Sequence, residues 1–347
     1  MFSSLRTFYS QSFNIPPPSL TEHNLPDQSG KVFLITGANT GIGAQLASIL
    51  YQRNGTVYVA ARTASKAHDT IDRIRQSHPS STGRLEYLHL DLSDLASVKA
   101  CVEDFLARET KLHWLNNNAA VMAPPEGSTG AQGLDLTYQT NILGPYLLTK
   151  LLLPVLRRTA AAASETTFTP APVRVSWAGS IGIILNSPRG GISWKRKEDG
   201  DDTLDDSLGL MTVYSASKAA NWFFAQEFGK RFGDRDRVLH NCYNPGNLQS
   251  ELQRHSGTAM PRWFNWLLHR FLLFPAIYGA YTELYAGLSP DLTLKDDQGV
   301  YVVPWGRKSG VDGADGMRRD IQLEAAKEGG NAQKLMDWCE RVTREFC

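Results

Sequence analysis

Tyr214 and Lys218 stand four residues apart in Tyr214-Ser215-Ala216-Ser217-Lys218, a segment of helical character, so a phenol and an ammonium share one helix face. A free phenol, with a pKa of roughly 10, is a poor proton carrier at neutral pH. A neighbouring cation favours its ionised form and lets it trade a proton with a carbonyl or alcohol oxygen. Alone the pair is a weak signal, since solvated helices carry many such pairs; its position after a strand-like segment, Val173 to Trp177, adds weight. Just beyond that segment, Ser180 lies in Ala178-Gly179-Ser180-Ile181-Gly182, where a hydroxyl can hold a substrate oxygen or simply form a turn. Asn141, in a helical stretch, is a mediocre helix former and points to a polar task.

A second group marks the other end of a site. Thr36-Gly37-Ala38-Asn39-Thr40-Gly41-Ile42-Gly43 follows the first strand-like run and leads directly into a helical segment. Glycines in such a turn let the backbone approach a pyrophosphate, which rests on the helix N-terminus where free N–H groups and the dipole favour anions. Gly37, Asn39, Thr40, Gly41, Ile42 and Gly43 are therefore the expected dinucleotide contacts. The second run ends in Arg62 rather than an acidic residue. A guanidinium there pairs with a ribose 2′-phosphate, so NADP(H) is expected over NAD(H). Asp91, at the end of the third run, either accepts from the adenine amino group or, with Ser93, caps the next helix. Asn117-Asn118-Ala119-Ala120 follows the fourth, with small residues that let the chain pass close to the nucleotide.

These residues need a frame. β-branched runs at Lys31 to Thr36, Thr56 to Ala61, Arg84 to Leu90, Leu112 to Asn116, Val173 to Trp177, Val238 to Tyr243 and Val300 to Val303 alternate with helical periodicity near 42–53, 64–77, 94–109, 133–158, 212–232 and 276–288. That alternation predicts an α/β fold: one Rossmann-type doubly wound parallel sheet of about seven strands in the order 3-2-1-4-5-6-7, in a single domain. Residues 1–29 read as an arm with an extended Pro16-Pro17-Pro18 lead-in, 30–310 as the NADP(H)-binding catalytic domain, and 311–347 as a C-terminal helical extension. The stretches 159–172 and 187–210, the latter holding the acidic run Glu198 to Asp206, read as surface loops.

Composition narrows the partners. The 347 residues are 42% hydrophobic and 20% charged, enough for a large core, and 36 basic against 35 acidic residues give no field for gripping nucleic acid. Four scattered cysteines suit a reducing compartment, and neither a disulfide nor a metal site is expected. No signal or spanning stretch is visible, so a cytoplasmic protein is expected, with membrane contact at most peripheral.

In order and context these motifs resemble the short-chain dehydrogenase/reductase family from about Gly30 to Val303, in the flavour of its retinol-dehydrogenase-like and WW-domain-oxidoreductase-like fungal branch, as LPDQSGKVFLITGANTGIG and YNPGNLQSEL suggest. The resemblance implies a tetrad of Asn141, Ser180, Tyr214 and Lys218. Tyr214 would act as proton donor, Ser180 would steady the oxygen, Lys218 would hold the nicotinamide ribose, and Asn141 would support a water relay. Pro245, Gly246 and Ser250, the last standing where relatives carry Thr, would line the nicotinamide side together with Asn118, Tyr214 and Lys218. Ala120 departs from the family's glycine. The resemblance also implies a variable lid near 247–275; the aromatic segment Pro261 to Tyr285 suits a lid, core packing or dimer contacts. A hydrophobic ketone, aldehyde or alcohol, met in a tailoring step of secondary metabolism, fits such a lid, and homodimers or homotetramers fit the family. The competing class is an NADP(H)-binding sensor or scaffold without catalysis.

Overall fold

The computed structural model describes residues 2–13, 15–163, 171–196, 200–249, 273–310 and 316–347. Its centre is a sheet whose strands run β1 (Val32–Thr36), β2 (Thr56–Ala61), β3 (Arg84–His89), β4 (Trp114–Asn117), β5 (Val173–Ala178), β8 (Val238–Tyr243), β9 (Tyr301–Val303) and β10 (Arg307–Lys308). Their spatial order is β10-β9-β8-β5-β4-β1-β2-β3, parallel throughout except for β10 against β9. This is the expected order with one short antiparallel edge strand added. The order reverses between β1 and β4, and ligands of such sheets bind beyond the carboxyl ends at that reversal.

Alternation along each strand divides the core. Leu34, Tyr58, Leu115, Val175, Trp177 and Val238 face helices Leu95–Arg108, Gly144–Ala162 and Leu210–Phe228. The intervening Phe33, Ile35, Val57, Val59 and Trp114 face Gly41–Gln52, Ala64–Ser77 and Ala276–Leu288.

Four stretches differ from the sequence reading. The expected helix over 133–158 is a single turn at Leu136–Tyr138, a π-helical stretch at Gln139–Leu143 and an α-helix from Gly144 to Ala162. Within the 187–210 loop, β6 (Trp194–Arg196) and β7 (Asp202–Leu204) form a small hairpin, docked through Trp194 Nε1 to Asn331 Oδ1 at 3.0 Å and Lys334 to Asp202 at 2.6 Å. Residues 316–347 bring helices Arg319–Ala326 and Asn331–Val342, whose Ile321, Leu335, Met336 and Trp338 enter the same core as the sheet. The N-terminal arm carries a helix, Phe2–Ser12, ahead of its prolines. Eleven residues make a marginal helix on their own, and docking onto the domain stabilises it.

Candidate active site

β1 runs straight into Gly37, whose φ of +69° belongs to the left-handed region, and Gly41 has a φ of +57°. A Cβ on Gly43 would lie 2.7 Å from Asn118 Nδ2 and 2.9 Å from the Gly37 carbonyl oxygen, so only glycine lets the helix come this close to the strand ends. Asn118 Nδ2 donates to the Thr36 carbonyl at 2.8 Å, and Thr36 Oγ1 accepts from Ala119 N at 2.9 Å, tying β4's end to the turn. Thr40 caps the following helix with its backbone alone, leaving its side chain uncommitted. A cleft of 460 Å³ opens here, bringing together Gly37, Asn39, Thr40, Gly41, Ile42 and Asn118. The glycine cradle and the helix start suit a pyrophosphate.

Arg62 and Asp91 close the far end of this cleft, 3.9 Å apart. The Arg62 side chain is 71% exposed, free to swing toward an anion. Asp91 Oδ1 accepts from Ser93 N at 2.9 Å and Ser93 Oγ at 2.6 Å, while the helix from Leu95 is capped by Asp94, through Ala96 N at 3.0 Å. Neither Asp91 nor Ser93 is the cap. Lys66, four residues after Arg62 on the next helix's first turn, also lines the cleft; its spacing from Arg62 was the signal that could have found it.

Tyr214 and Lys218 project from Leu210–Phe228 into the protein, 7% and 2% exposed, with Lys218 Nζ 5.7 Å from the Tyr214 ring centre. Lys218 Nζ donates to the Ala178 carbonyl at 3.0 Å, and Asn221 Nδ2, unnoticed in the sequence, to the same oxygen at 2.8 Å. Ser180 Oγ accepts from Gly182 N at 3.0 Å, while Tyr301 OH donates to the Ser180 carbonyl at 3.1 Å. Burial pushes the Tyr214 phenol up to about 12, with the Ser180 side chain opposing, and pulls Lys218 down to about 8. The sequence reading put the phenol's shift the other way. Desolvation penalises the buried phenolate, and the Ser180 side chain opposes it only in part. The phenol is thus a protonated donor at neutral pH.

The π-helical stretch aims Asn141, which is fully buried. Its Oδ1 accepts from Val121 N at 2.9 Å, and its Nδ2 donates to the Val121 carbonyl at 2.9 Å and to Ser217 Oγ at 3.0 Å. Val121 lines the nucleotide cleft and Ser217 adjoins Lys218, so Asn141 joins the two halves of the site. Pro245 and Gly246 follow β8; Gly246 has a φ of +94°, and a Cβ on it would lie 2.6 Å from the Trp305 ring. Ser250 and most of the expected lid lie outside the described residues.

Behind this group, against the opposite sheet face, sits a cluster that sequence reasoning missed. Asn116, Tyr243 and Glu283 are all fully buried, and Asn116 Nδ2 lies 2.9 Å from Glu283 Oε2. The Tyr243 hydroxyl lies 3.0 Å from both Asn116 Oδ1 and Glu283 Oε1. Burial pushes Glu283 up to about 8, against the opposing bonds from Tyr243 and Asn116 and the charge of Lys218.

Residues 31–166 match the short chain dehydrogenase family. The chain is 38% identical over 353 residues to a short-chain dehydrogenase/reductase from Phomopsis amygdali, covering 99% of this chain and 98% of that protein. It is 42% identical over 335 residues to one from Emericella nidulans, covering 96% and 99%. In fold it resembles an uncharacterized protein from Mycobacterium paratuberculosis, 24% identical with a TM-score of 0.63, over 94% of this chain and 97% of that one. It also resembles Pseudomonas aeruginosa RhlG in its NADP complex, 21% identical with a TM-score of 0.56, over 80% and 95%.

Proposed function

Because the chain belongs to the short-chain dehydrogenase/reductase family, we propose that it is an NADP(H)-dependent enzyme interconverting a ketone or aldehyde and an alcohol on a hydrophobic small molecule. The observation that carries this is the buried Tyr214 on one helix face with Lys218, its ring centre 5.7 Å from Lys218 Nζ, beside the strand end that bears Ser180. On reduction Tyr214 donates its proton to the substrate oxygen while Ser180 Oγ steadies it. Lys218 spends one of its three hydrogens on Ala178 and offers the others to the nicotinamide ribose. Asn141 acts as a positioning residue through Val121 and Ser217. The bound nicotinamide supplies the hydride.

Preference for NADP(H) rests on Arg62 and Lys66, two cations at the cleft end where no acidic residue ends β2. The apolar substrate rests on the rim: Leu185, five residues past Ser180, and Leu210 and Met211, just before Tyr214, are 40%, 39% and 43% exposed. A tailoring role in secondary metabolism, a cytoplasmic location and a homodimeric or homotetrameric assembly complete the reading. Among the described residues no helix is long and apolar enough to cross a membrane.

NADPH oxidation with a panel of alicyclic and aromatic ketones tests the reading. Turnover by the native chain that disappears in Tyr214→Phe supports it; turnover that survives the change refutes the assigned acid, and NADPH binding without any turnover favours a sensor.

A further inference from the structure

The helix Phe2–Ser12 is amphipathic in the inverted sense. Its inward residues Thr7, Gln11 and Ser12 are polar and each 1% exposed, whereas Leu5 and Tyr9 on its outer face, and Phe13 just after it, are 59%, 60% and 50% exposed. A helix that docks by apolar packing shows the opposite pattern. The polar face meets both rims of the candidate active site. It packs against Gly182–Leu185, the turn that follows Ser180. It also bonds the loop on either side of Pro245-Gly246: Asn244 Nδ2 donates to Gln11 Oε1 at 2.8 Å and Asn247 Nδ2 to Ser12 Oγ at 2.9 Å. One helix therefore bridges the oxygen-holding loop and the nicotinamide-side loop.

The orientation of the Gln11 carboxamide follows from its partner. Asn244 Oδ1 accepts from the backbone N–H of Gly246 at 3.1 Å, which leaves Nδ2 to face Gln11. Gln11 must answer with Oε1, and its Nε2 then points elsewhere. That Nε2 is buried and, among the described residues, has no hydrogen-bond partner. Buried donors are mostly paired in native proteins, so this Nε2, beside the loop that follows β8, is open to an acceptor that a ligand brings.

Resting on the carbonyl-reductase reading above, we infer that Phe2–Ser12 is a wall of the substrate site and that Gln11 is a specificity residue, whose Nε2 donates to a second oxygen of the substrate, remote from the reacting carbonyl. The preferred substrate class is thus an apolar molecule carrying two oxygen functions.

The test compares Gln11→Glu and Gln11→Leu with the native chain. Gln11→Glu keeps an oxygen for Asn244 and exchanges only the Nε2 donor for an acceptor; Gln11→Leu removes both. KM is measured for alicyclic diketones and their monoketone counterparts, with NADPH affinity followed by tryptophan fluorescence and Tyr214→Phe as control. The expected result is a diketone-to-monoketone KM ratio raised about tenfold in both variants, the loss of one neutral hydrogen bond, with NADPH affinity within twofold of native. An unchanged ratio, or a loss shared by both ketone classes together with NADPH affinity, overturns the inference while leaving the enzyme reading intact. No turnover of any ketone by the native chain overturns both.

Discussion

Two polar clusters back onto each other across the carboxyl end of the sheet, and their hydrogen bonds close differently. Behind it, Asn116, Tyr243 and Glu283 form a ring of three contacts. The Tyr243 phenol has one hydrogen for two oxygen neighbours, and the Asn116 amide supplies the hydrogen for the third contact. All three contacts are made only when Glu283 carries a proton and donates to Tyr243 while Tyr243 donates to Asn116. The ring is then complete. In front, among the described residues, Lys218 has one of three hydrogens placed, and the Tyr214 hydroxyl has no partner in that ring. A closed set holds two strand ends, β4 through Asn116 and β8 through Tyr243, in register; an open set awaits a ligand.

The largest expected effect breaks the open set. Tyr214→Phe should lower kcat by about 10³-fold, within the usual range for a general acid. Its urea midpoint should stay at or above the native value, since active-site polar groups cost stability for function. A stability loss without a rate loss would reverse the roles assigned to the two clusters.

Next comes the closed set. Glu283→Ala removes one member and leaves Asn116 and Tyr243 buried with unmet groups, a loss of about 3 kcal/mol expected in urea unfolding. The folded enzyme should keep far more activity than Tyr214→Phe. Unfolding and initial-rate measurements on the same preparation check both halves.

A smaller effect belongs to the cleft's outer end. Arg62→Ala should reduce the preference for NADPH over NADH about tenfold, a modest figure because the side chain is 71% exposed and solvent screens its charge. Parallel titrations with the two cofactors measure it, and equal losses would remove Arg62 from the 2′-phosphate site.

The open set was legible in the sequence because its signals are local. A glycine turn after a strand and a Tyr–Lys pair one helical turn apart need only short spacing to be read, and strand–helix alternation with right-handed crossovers supplied the doubly wound sheet. The closed ring was not legible, since Asn116 and Glu283 are 167 residues apart and Asn116 hides in a run of three asparagines. The N-terminal helix escaped for a related reason: its docking face is polar, and hydrophobic patterning cannot see it. Burial, which no residue spacing encodes, also decided the direction of the Tyr214 shift.

The finest probe of the comparison is Glu283→Gln. Glutamine can reproduce the ring, its Nε2 donating to Tyr243 and its Oε1 accepting from Asn116, so at acid pH, where Glu283 is protonated in both states, the change should cost less than about 1 kcal/mol. The pH dependence should differ. Glu283 is raised from 4.5 to about 8 by burial, so the folded state holds a proton that the unfolded state has lost between those values. Its stabilising contribution is fully present below the unfolded pKa and drains away as pH rises through the folded one, by up to ~1.4 kcal/mol per pH unit. Urea unfolding of the native chain between pH 5 and 8 should therefore show a downward slope that Glu283→Gln flattens. Parallel curves for the two proteins would mean that the carboxyl is ionised and that the ring is held by two hydrogens.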